Sequence, residues 1–403
     1  MQRFRFYMAS LFVVLGILIG ASVQVEATCT TNVSWEGEKL QKGQIGKVSV
    51  LKDTPIVTFK NKKTVVIGKA KRGNVYKVYA IQTNYFHIGN HRYIKNSTNV
   101  RYKAVPKEKL VLLACEQKTT SATISMNGLT IGDTRAKVEA LYGKAKRKSL
   151  NDYGLYWETY DKGNYREFMM ISYENDKIVA MYTNHPIVKT KTGITLSSSK
   201  QQVQKTYGTP ISFIDKGTTT YIIEDDEYST YMLDGNYVTF FFDKHQNNQL
   251  SAVQVVRKDL EEKKNGFYGT LTDELRTAYE YQIFDLVNAV RLKNHVPLLS
   301  WDGKIANTAR KHSEDMAKNQ YFSHTNLKGL SPFDRMQADG ISFSTAGENI
   351  AYGQFNAIYV HEAWMNSLGH RRNVLDPSFQ RLGVGAAFDS FGRPYYTQNF
   401  YTP

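Results

Sequence analysis

The sequence predicts a multi-domain chain: a small all-β barrel-like module, a duplicated α+β domain and a C-terminal α/β/α sandwich. Three observations carry this. Short runs alternating apolar and polar residues, punctuated by turn signals every 8–12 residues, fill residues 45–103. One pattern recurs at a spacing of 65 residues between 127 and 212, and helical runs, β material and a closing hairpin share the last 125 or so residues. With 41% apolar and 22% charged residues in 403, a disordered, collagenous or coiled-coil chain is excluded and several separate cores are expected.

Residues 1–27 read as a secretory signal peptide. Arg3 and Arg5 precede an apolar run from Met8 to Ile19, and Val25 and Ala27 occupy the −3 and −1 positions of a cleavage site. The run is short against the roughly 20 residues that span a bilayer, so an uncleaved anchor is the alternative and the one route to a membrane. The residues before Cys29 do not form a lipobox. The two cysteines, Cys29 and Cys115, bracket one block of composition. In an exported chain they invite a disulfide, worth up to about 4 kcal/mol, although two separate thiols satisfy the count equally.

That block, residues 28–120, also holds the charge. Residues 30–120 carry 18 basic and 5 acidic side chains out of a formal +15 for the chain, whereas the remainder is close to balanced. Exported and basic, the protein is expected to meet anionic wall polymers or lipid headgroups rather than nucleic acid. Strands are expected at 48–51, 56–59, 65–68, 75–79 and 85–89. The segment YFHIGNHRYIKNSTNVRY resembles the wall-attachment repeats of bacterial surface-layer proteins and, more loosely, SH3-like wall-binding modules. The resemblance implies a cationic, aromatic face, with Tyr76, Tyr79, Tyr85, Arg92, Tyr93 and Lys95 as wall-binding candidates and Tyr102 nearby.

Residues 121–258 form the duplicated domain. NGLTIGDTRAKVEALYGKAKR aligns with TGITLSSSKQQVQKTYGTPIS, placing Gly128 over Gly193, Val138 over Val203 and Tyr142-Gly143 over Tyr207-Gly208. Each copy has a short amphipathic helix (136–141 and 201–207) ending in Gly, then strands such as 168–173 and 237–242. The acidic run Glu224-Asp225-Asp226-Glu227 reads as a solvated hairpin tip, with cation binding as the alternative. The charged, Gly-containing segment 259–274 reads as a linker.

In 275–403 apolar residues Ile283, Leu286, Val287 and Val290 share a helical face, Asp302 is an N-cap candidate for a second helix ending near Tyr321, and a third is expected over 356–367. The strings LVNAVRLKNHVPLLSWDGKIANTARKHSEDMAKNQYFSH, GENIA and WMNSLGHRRNVL look like the CAP superfamily, the domain of cysteine-rich secretory, antigen-five and pathogenesis-related proteins, in its bacterial form. The repeats are similar to the domain that precedes CAP domains in some bacterial proteins.

His324, Glu348 and His370 stand at expected element ends, and imidazole with carboxylate suits zinc or a similar divalent ion. Spacings of 24 and 22 residues are no metal motif by themselves. The resemblance adds that CAP clefts hold two histidines and two acidic residues able to bind a cation, and these three match. The fourth does not carry over: Ser367 stands where many members have Glu. Glu362, Ser367 and Asn349 are additional groove residues. His312 and His361 match no family position and read as structural. No organic cofactor is implied. GxSxG and HExxH are absent, and Ser313 and Ser323 only neighbour histidines in sequence. The expected function is an exported, envelope-associated or extracellular binding protein, whose groove holds a divalent cation and a lipid, glycan or peptide. A metal-dependent hydrolase or peptidase at the wall is the alternative.

Overall fold

The computed structural model describes residues 33–110 except 42, 61–62, 83 and 107–108, and residues 124–403 except 217–218. The leader, Cys29 and Cys115 lie outside the described residues. The N-terminal module corrects one expectation: among the described residues no sheet closes into a barrel. Beside a two-stranded hairpin, Ser34–Trp35 with Glu38–Lys39, it consists of two open sheets, one with strand order Val100–Ala104, Gly46–Val50, Val75–Val78 and the other Lys63–Ala70, Thr54–Lys60, Tyr93–Lys95, Tyr85–His87, Ala80–Gln82. Val48, Val50, Ile56, Val78, Phe86 and Ile94 form their common core. The chain changes sheets at Tyr79: Val78 pairs with Gly46, whereas Ala80 pairs with His87. Closure would need a ladder between the outer strands of the two sheets, and none joins them.

The duplication is visible as a pseudo-symmetric half-pair. Helices Arg135–Tyr142 and Lys200–Tyr207 start on Thr134 and Ser199, whose hydroxyls accept from the backbone N–H three residues on, and end at Gly143 and Gly208 with φ of 75° and 79°. One antiparallel seven-stranded sheet joins the halves. Arg147–Leu150, Tyr156–Tyr160, Met169–Glu174 and Lys177–Thr183 come from the first; Gln249–Arg257, Asn236–Asp243 and Tyr228–Leu233 follow from the second. Alternation explains the two cores. Met169, Ile171, Met181, Phe240 and Val253 face the two short helices. Met170, Tyr182, Phe241 and Ala252 face the other way, into one apolar cluster with Tyr279, Ile283, Leu286, Trp364 and Tyr396 of the C-terminal domain.

The C-terminal domain is a three-layer α/β/α sandwich. Its sheet runs Ser300–Trp301, Arg381–Phe388, Pro394–Thr402, Thr345–Tyr352. Helix Gly303–Asn319 packs against one face so closely that a Cβ on Gly383 would fall 2.2 Å from the Ala306 nitrogen. Leu382, Val384 and Ala386 face the opposite layer, where helices Asp273–Lys293 and Ala357–Asn366 lie. The helix expected from Tyr279 starts earlier, because the Thr272 hydroxyl accepts from Leu275 N–H and Asp273 and Glu274 occupy the first turn. Part of the expected linker is likewise structured. Lys258–Lys263 is helical, and Lys264 is buried between Asp152 (2.9 Å) and Glu261 (3.5 Å).

Candidate functional site

Three elements meet at the start of strand Thr345–Tyr352. Helix Gly303–Asn319 ends at Gln320, in the left-handed conformation, and releases the loop that carries His324. Helix Pro332–Ala338 follows a capping box of Ser331 and Asp334 and sets Arg335 on its buried face, beside Pro332 and Met336. Strand residue Glu348 lies between them, with its side chain 1% exposed.

Both oxygens of that carboxylate are engaged. His324 Nδ1–H donates to Oε1 at 2.9 Å, and an Arg335 guanidinium nitrogen donates to Oε2 at 2.6 Å. Arg335 also donates to the His324 carbonyl (2.7 Å) and the Leu330 carbonyl (3.0 Å). One buried guanidinium thus ties the loop, the short helix and the strand together. The His324 side chain itself is half-exposed.

His370, on helix Leu368–Leu375, is half-buried. Burial and the neighbouring His324 imidazole hold it below the ordinary histidine value. Asn349, fully buried, fixes this helix to the strand: its Nδ2 donates to the His370 carbonyl (3.1 Å) and to Gln398 Oε1 (3.0 Å), while its Oδ1 accepts from Asn373 (2.8 Å).

The structure therefore joins His324 to Glu348 and sets His370 beside His324. The other residues go elsewhere. Glu362 faces the duplicated domain, where its carboxylate accepts from the Tyr182 hydroxyl (2.6 Å) and the Ser251 hydroxyl (2.8 Å). Ser367 stands at the junction of two helices without a side-chain cap bond. Among the described residues no three His, Cys, Asp or Glu side chains converge as metal ligands. A divalent ion ligated directly by Glu348 would compete with the guanidinium already on that carboxylate.

The serines are committed as well. Ser313 Oγ donates to the Gly385 carbonyl (3.0 Å) and lies 2.8 Å from Thr397 Oγ1, while His312 Nε2 reaches the Ser323 carbonyl, not its hydroxyl. No nucleophile–base pair results. Arg335, absent from the sequence reading, had one signal there: it lies three residues after Pro332 and one before Met336, on the inner face of a capped helix, where a charge requires a partner.

In the N-terminal module, Tyr93 is 4% exposed and packs edge-on against Phe59, and Tyr102 stacks on Phe86. Tyr76, Tyr79 and Tyr85 are half-buried, whereas Arg92 and Lys95 are exposed.

This fold has known counterparts. Residues 131–267 match the family described as CAP-associated N-terminal, and residues 284–400 match the cysteine-rich secretory protein family. The chain therefore carries a CAP domain preceded by a CAP-associated domain. It is similar to the uncharacterized membrane protein YlbC of Bacillus subtilis, 29% identical over 300 residues, covering 70% of this chain and 84% of the relative. The uncharacterized protein YkwD of the same organism is 47% identical over 109 residues, covering 27% of this chain and 42% of YkwD. Among solved structures, an extracellular SCP-domain protein from Bacillus anthracis aligns at 28% identity and TM-score 0.58, over 68% of this chain and 94% of that one. A cysteine-rich secretory protein from Staphylococcus aureus shares the fold, at 15% identity, TM-score 0.55 and the same coverage. The likeness to an extracellular relative agrees with the leader: this is a secreted or extracellular protein. No described helix is long and apolar enough to cross a membrane.

Proposed function

We propose that this chain is a non-catalytic binding protein of the cell envelope or extracellular space. Its CAP groove would hold a lipid, glycan or peptide through His324 and His370, over a Glu348–Arg335 pair that fixes the groove's shape. The observation that carries this reading is the commitment of the reactive groups: both Glu348 oxygens have donors, and Ser313 is bonded to backbone and Thr397. The basic N-terminal module would supply attachment to anionic wall polymers through residues such as Arg92 and Lys95, an attachment that salt weakens.

The second reading, a divalent cation held by His324, Glu348 and His370 in a metal-dependent hydrolase or peptidase, requires Glu348 to release Arg335. One experiment separates the two. The purified chain is incubated with lipid, muropeptide and peptide pools, with and without chelator, and both retained and altered molecules are identified by mass spectrometry. Retention that resists chelator and is lost in His324→Ala/His370→Ala supports binding. Turnover abolished by chelator and by His370→Ala overturns it.

A further inference from the structure

The duplicated domain and the CAP domain enclose a cleft of about 620 Å³ at the far end of the strand that carries Glu348. Tyr352 closes that strand four residues beyond Glu348, about 13 Å along it, so the cleft is separate from the histidine groove. We propose that this cleft is a second ligand site and that its ligand is a basic peptide segment presenting a Lys or Arg side chain.

The walls are aromatic. Tyr228 and Phe241 come from the seven-stranded sheet, and Tyr352, Phe355 and Tyr359 from the CAP domain. Tyr228 meets Tyr359 edge-on at 5.2 Å, and Phe355 meets Tyr359 at 4.9 Å. The rings thus form one continuous surface across the domain boundary. Burial, with neighbouring acidic groups, holds the Tyr228 phenol well above its ordinary value, so the wall presents neutral π-faces, which attract cations.

The lip is acidic and only partly neutralised. Glu227 pairs with Lys244 at 2.7 Å, and Asp225 accepts from the Glu227 amide, while Asp225 and Asp226 face solvent with no cation on either carboxylate. No metal-ligand grouping forms there among the described residues. Aromatic faces and two carboxylates without a cation partner among the described residues together match a cationic side chain. The volume exceeds one such side chain and leaves room for its flanking residues.

The test uses the full chain and fluorescein-labelled hexapeptides containing Lys or Arg, with Glu-substituted counterparts and spermidine as competitor, followed by fluorescence polarisation. Expected are binding of basic peptides that falls with salt, about tenfold weakening in Asp225→Asn/Asp226→Asn, and no change in His324→Ala/His370→Ala. Asp225 and Asp226 are exposed, so their variant retains the fold, checked by its unfolding midpoint. Failure of basic peptides to bind at low salt, or binding indifferent to the double Asn variant, overturns the site. Spermidine displacing the peptides at equal concentration overturns the peptide assignment. Loss of binding in the histidine variant would place the ligand in the CAP groove instead and also overturn it.

Discussion

Removing the Arg335 guanidinium tests whether the CAP groove is built on an internal ion pair. Arg335→Met keeps much of the side-chain volume but leaves the Glu348 carboxylate, 1% exposed, with His324 as its remaining side-chain partner. It also takes one donor from each of the His324 and Leu330 carbonyls, the latter keeping the Asn326 N–H. Breaking a buried pair from one side destabilises by about 3–5 kcal/mol, because the surviving charge stays desolvated. Replacing both members is far milder, so Arg335→Met/Glu348→Met should recover most of the loss. Equilibrium unfolding in urea of the wild type, both single variants and the double variant gives the coupling energy. The reasoning fails if Arg335→Met loses less than about 1 kcal/mol, the worth of an exposed pair, or if the double variant is no better than the single one.

Further outcomes follow from other contacts. His361 is deeply buried and near Lys293, which together hold its imidazole down to about 3, against 6.5 ordinarily. The unfolded chain takes up a proton between those values that the folded chain refuses, so stability falls as pH drops from 6.5 towards 3, by at most about 1.4 kcal/mol per unit. His361→Leu should flatten that slope in urea midpoints measured against pH, and an unaltered slope would clear this histidine of the effect. A Cβ on Gly385 would lie 2.0 Å from the Arg310 nitrogen, so Gly385→Ala should lift helix Gly303–Asn319 off the sheet and lose about 1–3 kcal/mol in thermal unfolding. Tyr182→Phe withdraws a donor from Glu362 and should cost about 1–3 kcal/mol. It should shift one joint transition of both domains; two separated transitions by calorimetry would contradict the shared core.

Signals that act within one turn of chain were legible. The paired helices carry hydroxyl caps and terminal glycines at the same 65-residue offset, and Asp302 caps its helix by accepting from Lys304 and Ile305. Long-range pairing was not. Period-two alternation describes strands in an open sandwich and in a barrel alike, and only the pairing of the outer strands, which no ladder joins among the described residues, decides between them. Thr272 was hidden as a cap because charged and glycine residues surround it. In the groove, His324 and Glu348 were found through their residue types, whereas Arg335 looked like one surface cation among 52 basic residues. Glu362 was named for the groove as the acidic side chain nearest the position where Ser367 replaces the family's Glu. Helix Ala357–Asn366 lies between two sheets, so its acidic side chain points to the neighbouring domain rather than to water.

That double-sided burial has a consequence for shedding and for fragment work. A protease that nicked the backbone between 264 and 272 would sever the chain without parting its halves. Arg147 would still grip Asp285, Gln282 would still hold the Leu150 carbonyl, and Tyr182 would still cover Glu362. A truncated C-terminal fragment begins life without these clasps, its Asp285 and Glu362 newly wetted and a hydrophobic flank laid bare. A free CAP domain is therefore not something that a single nick in this segment can release.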